Sequence, residues 1–326
     1  MLRLSLVRTA HELDRLHSKW QELAAQSPHA TIFQSFEWNR LAAAMFADRE
    51  APWVIHAVSD SGEAIIPAVR RRDELSLIGE TLFDYRDVLA VGAVEVLDAA
   101  FGRLAETHLP LTITAVRGHA ADFWPESVLS SFAGAPCVRV EKCDAETFRR
   151  SHARLASRAR RLPRNGFAFR RYDNPHESLV RDLYERKAQQ SSAGQLFADP
   201  KRIDFMCNIT NQPRTFSTVW CYEDDSESIA TVIAFRNGDI QHFYTTWYNA
   251  ELAVLSPGQA LLFEAVAQTL AEGLNADFMT GESFYKARLA TDVVPLFRVD
   301  ARAQDVAHLA SKRHCARTQP SVATEV

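Results

Sequence analysis

The sequence predicts a mixed α/β protein of two lobes, and three observations lead there. Arg236-Asn237-Gly238-Asp239 separates two β-prone runs, Ser228 to Phe235 and Ile240 to Tyr248. Asn-Gly between such runs is the strongest short-range hairpin signal. The stretch from Ile240 to Ala290 then reads as a crossover unit: an aromatic strand, an irregular link, an apolar helix opening at Ser256-Pro257-Gly258-Gln259 and ending near Gly273, and a short strand at Ala276 to Met279. Antiparallel strands followed by one parallel crossover make a mixed sheet, not a doubly wound one. The first half of the chain shows the same coarse order, with its own hairpin turn at Ser59-Asp60-Ser61-Gly62, and 326 residues suffice for two lobes.

In order, helical spacing of Leu13, Leu16, Trp20 and Leu23 predicts a helix over 11–25, and a second runs from Phe36 to Phe46. Strands follow at 53–58, 64–70 and 75–78, then a helix near 95–106, a strand at 111–116, a partly helical excursion over 120–132 and a closing strand at 137–140. The first lobe is 1–143. The second, 144–302, opens with a basic helix from Ala145 to Leu162, followed by a strand to Tyr172 and helices at 177–190 and 201–211. Its strands lie at 215–222, 228–235, 240–248 and 293–299. The tail, 303–326, is polar, and no structure is expected of it.

The charge of -4 and pI near 6.3 provide no global basic field for nucleic acid. No apolar run approaches the ~20 residues that cross a bilayer. The first residues lack the uninterrupted apolar core of a signal peptide, and the expected location is cytoplasmic. Cys137, Cys143, Cys207, Cys221 and Cys315 have no C-x-x-C spacing, so they read as reduced thiols and neither a disulfide frame nor a metal site is expected.

The centre of the crossover is a helix N-terminus. Ser256 is placed to cap the first turn, Pro257 suits the first helical position, and Gln259 stands three residues after the cap. Gly258 lets a ligand approach the backbone. The first amides of a helix have no internal acceptor and carry partial positive charge, so such an end suits a phosphate or pyrophosphate. Taken alone, the same four residues read first as a plain cap on a core helix.

Tyr244, Tyr248-Asn249, Ser256-Pro257-Gly258, Leu261-Leu262, Gly273, Asp277-Phe278, Gly281-Glu282 and Tyr285-Lys286 stand in an order that resembles the C-terminal half of GNAT-like acyltransferases of the CelD/BcsL type, relatives of the FemABX aminoacyltransferases. Tyr248-Asn249-Ala250-Glu251 departs from the family's Tyr-Asp-Pro-Glu. Weaker likeness extends to 33–38 and to the arginine-rich 154–166. The resemblance implies two GNAT-like lobes in tandem and an N-acyltransferase using acetyl-CoA or another acyl-CoA. The implied acceptor is an amino group on a small molecule or on a sugar or polysaccharide precursor of the cell envelope. Peripheral contact with membrane-bound polysaccharide machinery is a further implication.

On that reading the amides of Gly258, Gln259 and Ala260, beside Ser256, hold the pyrophosphate, and backbone groups of Tyr244, Thr245, Thr246 and Trp247 align the pantetheine arm. Acyl transfer to an amine needs carbonyl polarisation and a proton acceptor. Lys286 is a candidate cation for a phosphate or oxyanion, or else a surface lysine. Tyr285 is a candidate acid, or else a core aromatic. Glu282, Asp277 and His242 are the candidate bases, among which the sequence does not choose. Trp38 and Asp84-Tyr85-Arg86 are implied acceptor-binding residues, with Trp38 also reading as core.

The segment holding Arg149, Arg150, Arg154, Arg158, Arg160, Arg161 and Arg164 reads either as a solvated face or as a site for phosphates. The rival functions are a FemABX-type aminoacyl-tRNA-dependent transferase, in which this segment binds tRNA, and a non-catalytic binding protein of an exopolysaccharide pathway.

Overall fold

The expected hairpin is present, with its turn shifted by one residue. Asn237 pairs with Ile240, so the loop is Gly238-Asp239, with Gly238 at φ 58°. A glycine at the first loop position of a two-residue hairpin supplies a backbone conformation that other residues resist. The structure is a computed structural model and describes residues 1–309 except 28–29, 80–81, 93, 119–123, 191 and 282. The chain divides into two units. Unit 1 takes Met1–Ala133 together with the chain from Pro295, and unit 2 takes Gly134–Val294.

In unit 1, β1 (Arg3–Val7) was not read in the sequence. Helices α1 (His17–Gln26) and α2 (Phe36–Met45) follow, with β2 (Ala51–Pro52), β3 (Val54–Ser59), β4 (Gly62–Ile66), β5 (Ala68–Arg70), β6 (Leu75–Leu77), β7 (Leu89–Gly92), α3 (Val94–Ala105) and β8 (Leu111–Arg117). One sheet runs β1-β3-β4-β7, all antiparallel. A second ladder joins β2, β5, β6 and β8, where β6 and β8 are parallel, and the strand Asp292–Ala301 pairs antiparallel with β8. Ile55, Ile66, Phe101, Ile113 and Val299 form the core between them. Val306 and Leu309 also pack into this core, so the chain expected to be a polar tail is buried at its start. From residue 310 the tail lies outside the described residues.

Unit 2 begins within β9 (Leu129–Val138); of the partly helical excursion expected over 120–132, residues 120–123 lie outside the described residues, Glu126–Val128 form a 3-10 turn and 129–132 belong to β9. The basic helix expected as one piece is three: α4 (Ala145–Ser151), α5 (Ala153–Ala159) and α6 (Arg161–Arg164). The first break falls at His152, whose φ -112°, ψ 38° leave the helical region. Then come β10 (Ala168–Asp173), α7 (Glu177–Gln189), α8 (Pro200–Thr210), β11 (Phe216–Glu223), β12 (Ser228–Asn237), β13 (Ile240–Tyr248), α9 (Pro257–Ala271), β14 (Asn275–Asp277) and α10 (Phe284–Leu289). The strand order is β10-β11-β12-β13-β14-β9, antiparallel except at β13–β14. The mixed α/β architecture is therefore as the sequence predicts.

The position of α9 follows from its composition. Ala260, Leu261, Leu262, Phe263, Ala265, Val266, Ala267 and Leu270 are all buried against the sheet. At about 1.5–3 kcal/mol for each large apolar chain, this burial outweighs any interaction at the helix end, so packing sets where the helix begins. Among the described residues no helix is long and apolar enough to cross a membrane.

Candidate functional site

Parallel pairing between β13 and β14 ends at His242 opposite Asp277, while β13 runs on to Tyr248. Beyond that point β13 has lost its β14 neighbour. A bulge adds to the divergence: Ile233 pairs with Thr245 and Ala234 with Phe243, which leaves Tyr244 as the extra residue. A bulge bends its strand and increases local twist. Side chains at the C-terminal end of α7 reach two carbonyls of β13 beyond that point. Lys187 Nζ donates to the carbonyl of Thr246 at 3.0 Å, and Gln190 Nε2 to that of Tyr248 at 2.8 Å. The Thr246 carbonyl, expected to align a ligand's arm, is thus already engaged.

The start of α9 stands beside this opening, and its cap differs from expectation. Ser256 adopts the left-handed conformation, φ 52°, ψ 49°, and its side chain makes no capping bond. The preceding 3-10 run, Ala250–Leu255, ends on Ser256, so the residue serves as a reversal between two helical pieces. The Ala260 amide donates to the Ser256 carbonyl at 3.1 Å and is spent within the helix. Since proline has no N–H, Gly258 and Gln259 supply the amides that helical geometry leaves without an internal acceptor. A Cβ on Gly258 would stand 2.9 Å from Tyr248 Cδ1, so its missing side chain makes room for a tyrosine ring as well as for any ligand.

A cavity of about 400 Å³ is lined here by Lys187, Thr246, Tyr248, Ala253, Ser256, Gly258, Gln259 and Tyr285. Burial pushes the Tyr285 phenol up. Burial, reinforced by the charge of Lys286, holds Lys187 below the ordinary lysine value. A second cavity of about 240 Å³ shares Gln259 and Tyr285 and is otherwise lined by Arg154, Leu155, Arg158, Phe284, Arg288 and Leu289. Arg158 donates to Gln259 Oε1 at 2.8 Å, and Arg288 lies over the exposed ring of Phe284, 5.4 Å from its centroid. The arginine segment therefore divides by role. Arg149 pairs with Glu264 at 2.9 Å and Arg150 with Glu146 at 3.7 Å, whereas Arg154 and Arg158 face a cavity.

Lys286 is committed to backbone. Its Nζ donates to the carbonyls of Phe278 at 2.8 Å and Thr280 at 3.1 Å, and so clamps the turn that follows β14. That turn holds Met279 at φ 57° and Gly281 at φ 111°. His242 is fully buried, with Nδ1 3.3 Å from Asp277 Oδ2. Asp277 Oδ1 also accepts the Met279 amide at 2.7 Å. This pair is a buried brace under the turn, and neither group is exposed for proton exchange with an acceptor. Glu282 lies outside the described residues. Thr245 and Trp247 are buried, the latter with Arg186 4.9 Å over its ring, and Tyr244 packs edge-on to Phe235.

In unit 1, Trp38 is 1% exposed, edge-on to Phe33 and Phe83, and Tyr85 is 2% exposed with Arg117 over its ring at 5.2 Å. Both are buried core residues, the alternative that the sequence already held open for Trp38. Asp84 and Arg86 are half-buried, and Arg86 donates to Thr114 Oγ1. The motif around Trp38 is helix-start chemistry: Thr31 and Gln34 form a capping box and Ser35 accepts from the Trp38 amide.

Lys187 and Arg288 are the residues that sequence reasoning did not assign to the site. Lys187 carried no local signal, being one charge on a charged helix. Arg154 and Arg158 lay in a segment already suspected.

Residues 148–287 match the family model of the acetyltransferase (GNAT) domain. No curated protein matches the chain. Among solved structures, a conserved protein of unknown function from Bacteroides thetaiotaomicron is similar with TM-score 0.61 at 9% identity, covering 92% of this chain and 100% of its own. FemX is similar with TM-score 0.58 at 10% identity, covering 86% and 95%. L-PGS from Bacillus licheniformis has TM-score 0.56 at 9% identity, covering 91% and 96%. At these identities the likeness shows a shared fold.

Proposed function

We propose that this chain, which carries an acetyltransferase (GNAT) domain over residues 148–287, moves an acyl group from an acyl-CoA thioester to an amine. The observation that carries this reading is the pair of cavities meeting at Gln259 and Tyr285 beside the start of α9. Their residues fit the donor. The amides of Gly258 and Gln259 suit a pyrophosphate, and Arg154, Arg158 and Arg288 suit further phosphate charge beside the exposed Phe284 ring. The larger cavity gives room for the arm that brings the thioester to the strand opening. Bound there, acyl-CoA would supply an activated carbonyl. The protein would hold it, exclude part of the water, and accept the amine's proton.

The acceptor is an amino group on a sugar or cell-envelope precursor, a choice that rests on the CelD/BcsL resemblance alone. A second reading, aminoacyl transfer from tRNA, is favoured by the FemABX resemblance and by the same arginines. Calorimetric titration with acetyl-CoA, coenzyme A and desulfo-CoA, alongside an aminoacyl-tRNA, separates the two. Binding of all three coenzyme forms, weakened in Arg158→Glu, is the expected result. Binding of the tRNA with none of the coenzyme forms would replace the first reading by the second.

A further inference from the structure

We propose that Lys187 accepts the proton of the attacking amine in this site. The assignment rests on the acyl-transfer reading above and adds the group that completes its chemistry. Lys187 projects from the last turn of α7 to the open edge of β13, where its nitrogen is tied to the Thr246 carbonyl at 3.0 Å. It lines the cavity that Ser256, Gly258, Gln259 and Tyr285 also line. The nitrogen is thereby held at the point where β13 and β14 have parted.

Two features select it over its neighbours. Lys286 donates to the carbonyls of Phe278 and Thr280 and so is held at the turn after β14. Lys187 stands in the cavity tied to one carbonyl, and burial together with the Lys286 ammonium loosens its hold on its proton. Tyr248 and Tyr285 meet it across the cavity. On its own helix, Arg186 is turned towards Asp182 and Glu227, and Tyr184 is buried. His242 and Asp277 are closed off as a buried pair, and burial makes the Tyr285 phenol a poor proton acceptor near neutral pH.

The step balances. The nitrogen of a neutral amine bonds the acyl carbon, and the proton it loses passes to the neutral Lys187 amine. The C–S bond breaks with its electron pair on sulfur, and the thiolate takes a proton from solvent. The Lys187 ammonium returns its proton to solvent, leaving an amide and a thiol.

The test is competitive labelling of the wild-type protein with trace acetic anhydride across pH, read peptide by peptide by mass spectrometry. Lys187 is expected to reach half its limiting reactivity at a lower pH in the native protein than in the urea-unfolded protein. Saturating desulfo-CoA should slow labelling of Lys187 by roughly ten-fold and leave Lys142 unchanged. With ethanolamine as probe amine, Lys187→Met should lower release of coenzyme A by about 100-fold at unchanged acetyl-CoA affinity, and Lys187→Arg should not rescue it. A Lys187 midpoint equal in native and unfolded protein overturns the proposal whether or not ethanolamine is accepted. So does rescue by Lys187→Arg, which would make the residue a fixed cation. Failure of any coenzyme form to bind instead removes the acyl-CoA reading, whatever the midpoint.

Discussion

Tyr248 lays its ring against Gly258 so closely that a Cβ on the glycine would stand 2.9 Å from Cδ1 and 3.2 Å from the tyrosine Cβ. The glycine is thus fitted to a neighbour in its own chain. Gly258→Ala is expected to displace the ring and lower stability by about 1–2 kcal/mol, measured by urea unfolding. Combining it with Tyr248→Ala should recover part of that loss, because the two share one contact. Equal costs in both backgrounds would mean that the ring yields freely.

Arg154, Arg158 and Arg288 surround one small cavity with positive charge. Replacing any one with Glu should weaken coenzyme A binding by roughly ten-fold or more, with the largest effect at low salt. Removing the ligand's 3′-phosphate should shrink the effect of at least one of the three. Unchanged affinities would place the nucleotide end elsewhere.

Lys286 acts as a clamp on two carbonyls, and that role has a signature apart from catalysis. Lys286→Met should cost about 1–3 kcal/mol, because the Phe278 and Thr280 carbonyls lose their donor. Calorimetric unfolding without ligand would show it. A lysine kept only to meet a phosphate would leave the ligand-free melting temperature where it was.

The lowered pKa of Lys187 ties stability to pH in a known direction. Between its folded value and the unfolded 10.5, the unfolded chain holds more protons than the folded one, so stability from this residue rises with pH across that window. Wild type measured against Lys187→Met should therefore gain relative stability from pH 7 to pH 10 in urea titrations. A flat or falling difference would contradict the burial of this lysine.

Cys137, Cys143, Cys207 and Cys221 are all buried and in no disulfide, and burial pushes the Cys207 thiol up to about 11. In native protein at pH 8 these four should resist a thiol reagent and react fully once unfolded. Fast native labelling of Cys207 would show that α8 opens readily.

The fold was legible where the signal was local. The Gly238 turn, the apolar α9 and the aromatic β13 each follow from a few adjacent residues, and Ser256 to Gln259 and Tyr285 do come together around one cavity. What escaped depends on distant partners. Arg158 meets Gln259 across 101 positions and Lys187 meets Thr246 across 59, and neither residue type announces a partner. Ser256 was misread because a favourable cap residue was overruled by the chain's route out of Ala250–Leu255. The return of the chain to unit 1 is equally non-local: the strand at Asp292–Ala301 finds its partner in β8, nearly two hundred positions earlier.

That returning strand sets an order of assembly. Synthesis delivers every residue of unit 2 before Val299, Ala301, Val306 and Leu309, which unit 1 needs to close its core. The earlier-made unit is therefore the later one to finish. While it waits, the side of β8 that will receive Leu296 to Ala301 offers an unpaired edge, the feature through which strands of separate molecules join. A chain that stalls or terminates near residue 294 leaves the ribosome with unit 2 complete and the first-made unit open to aggregation.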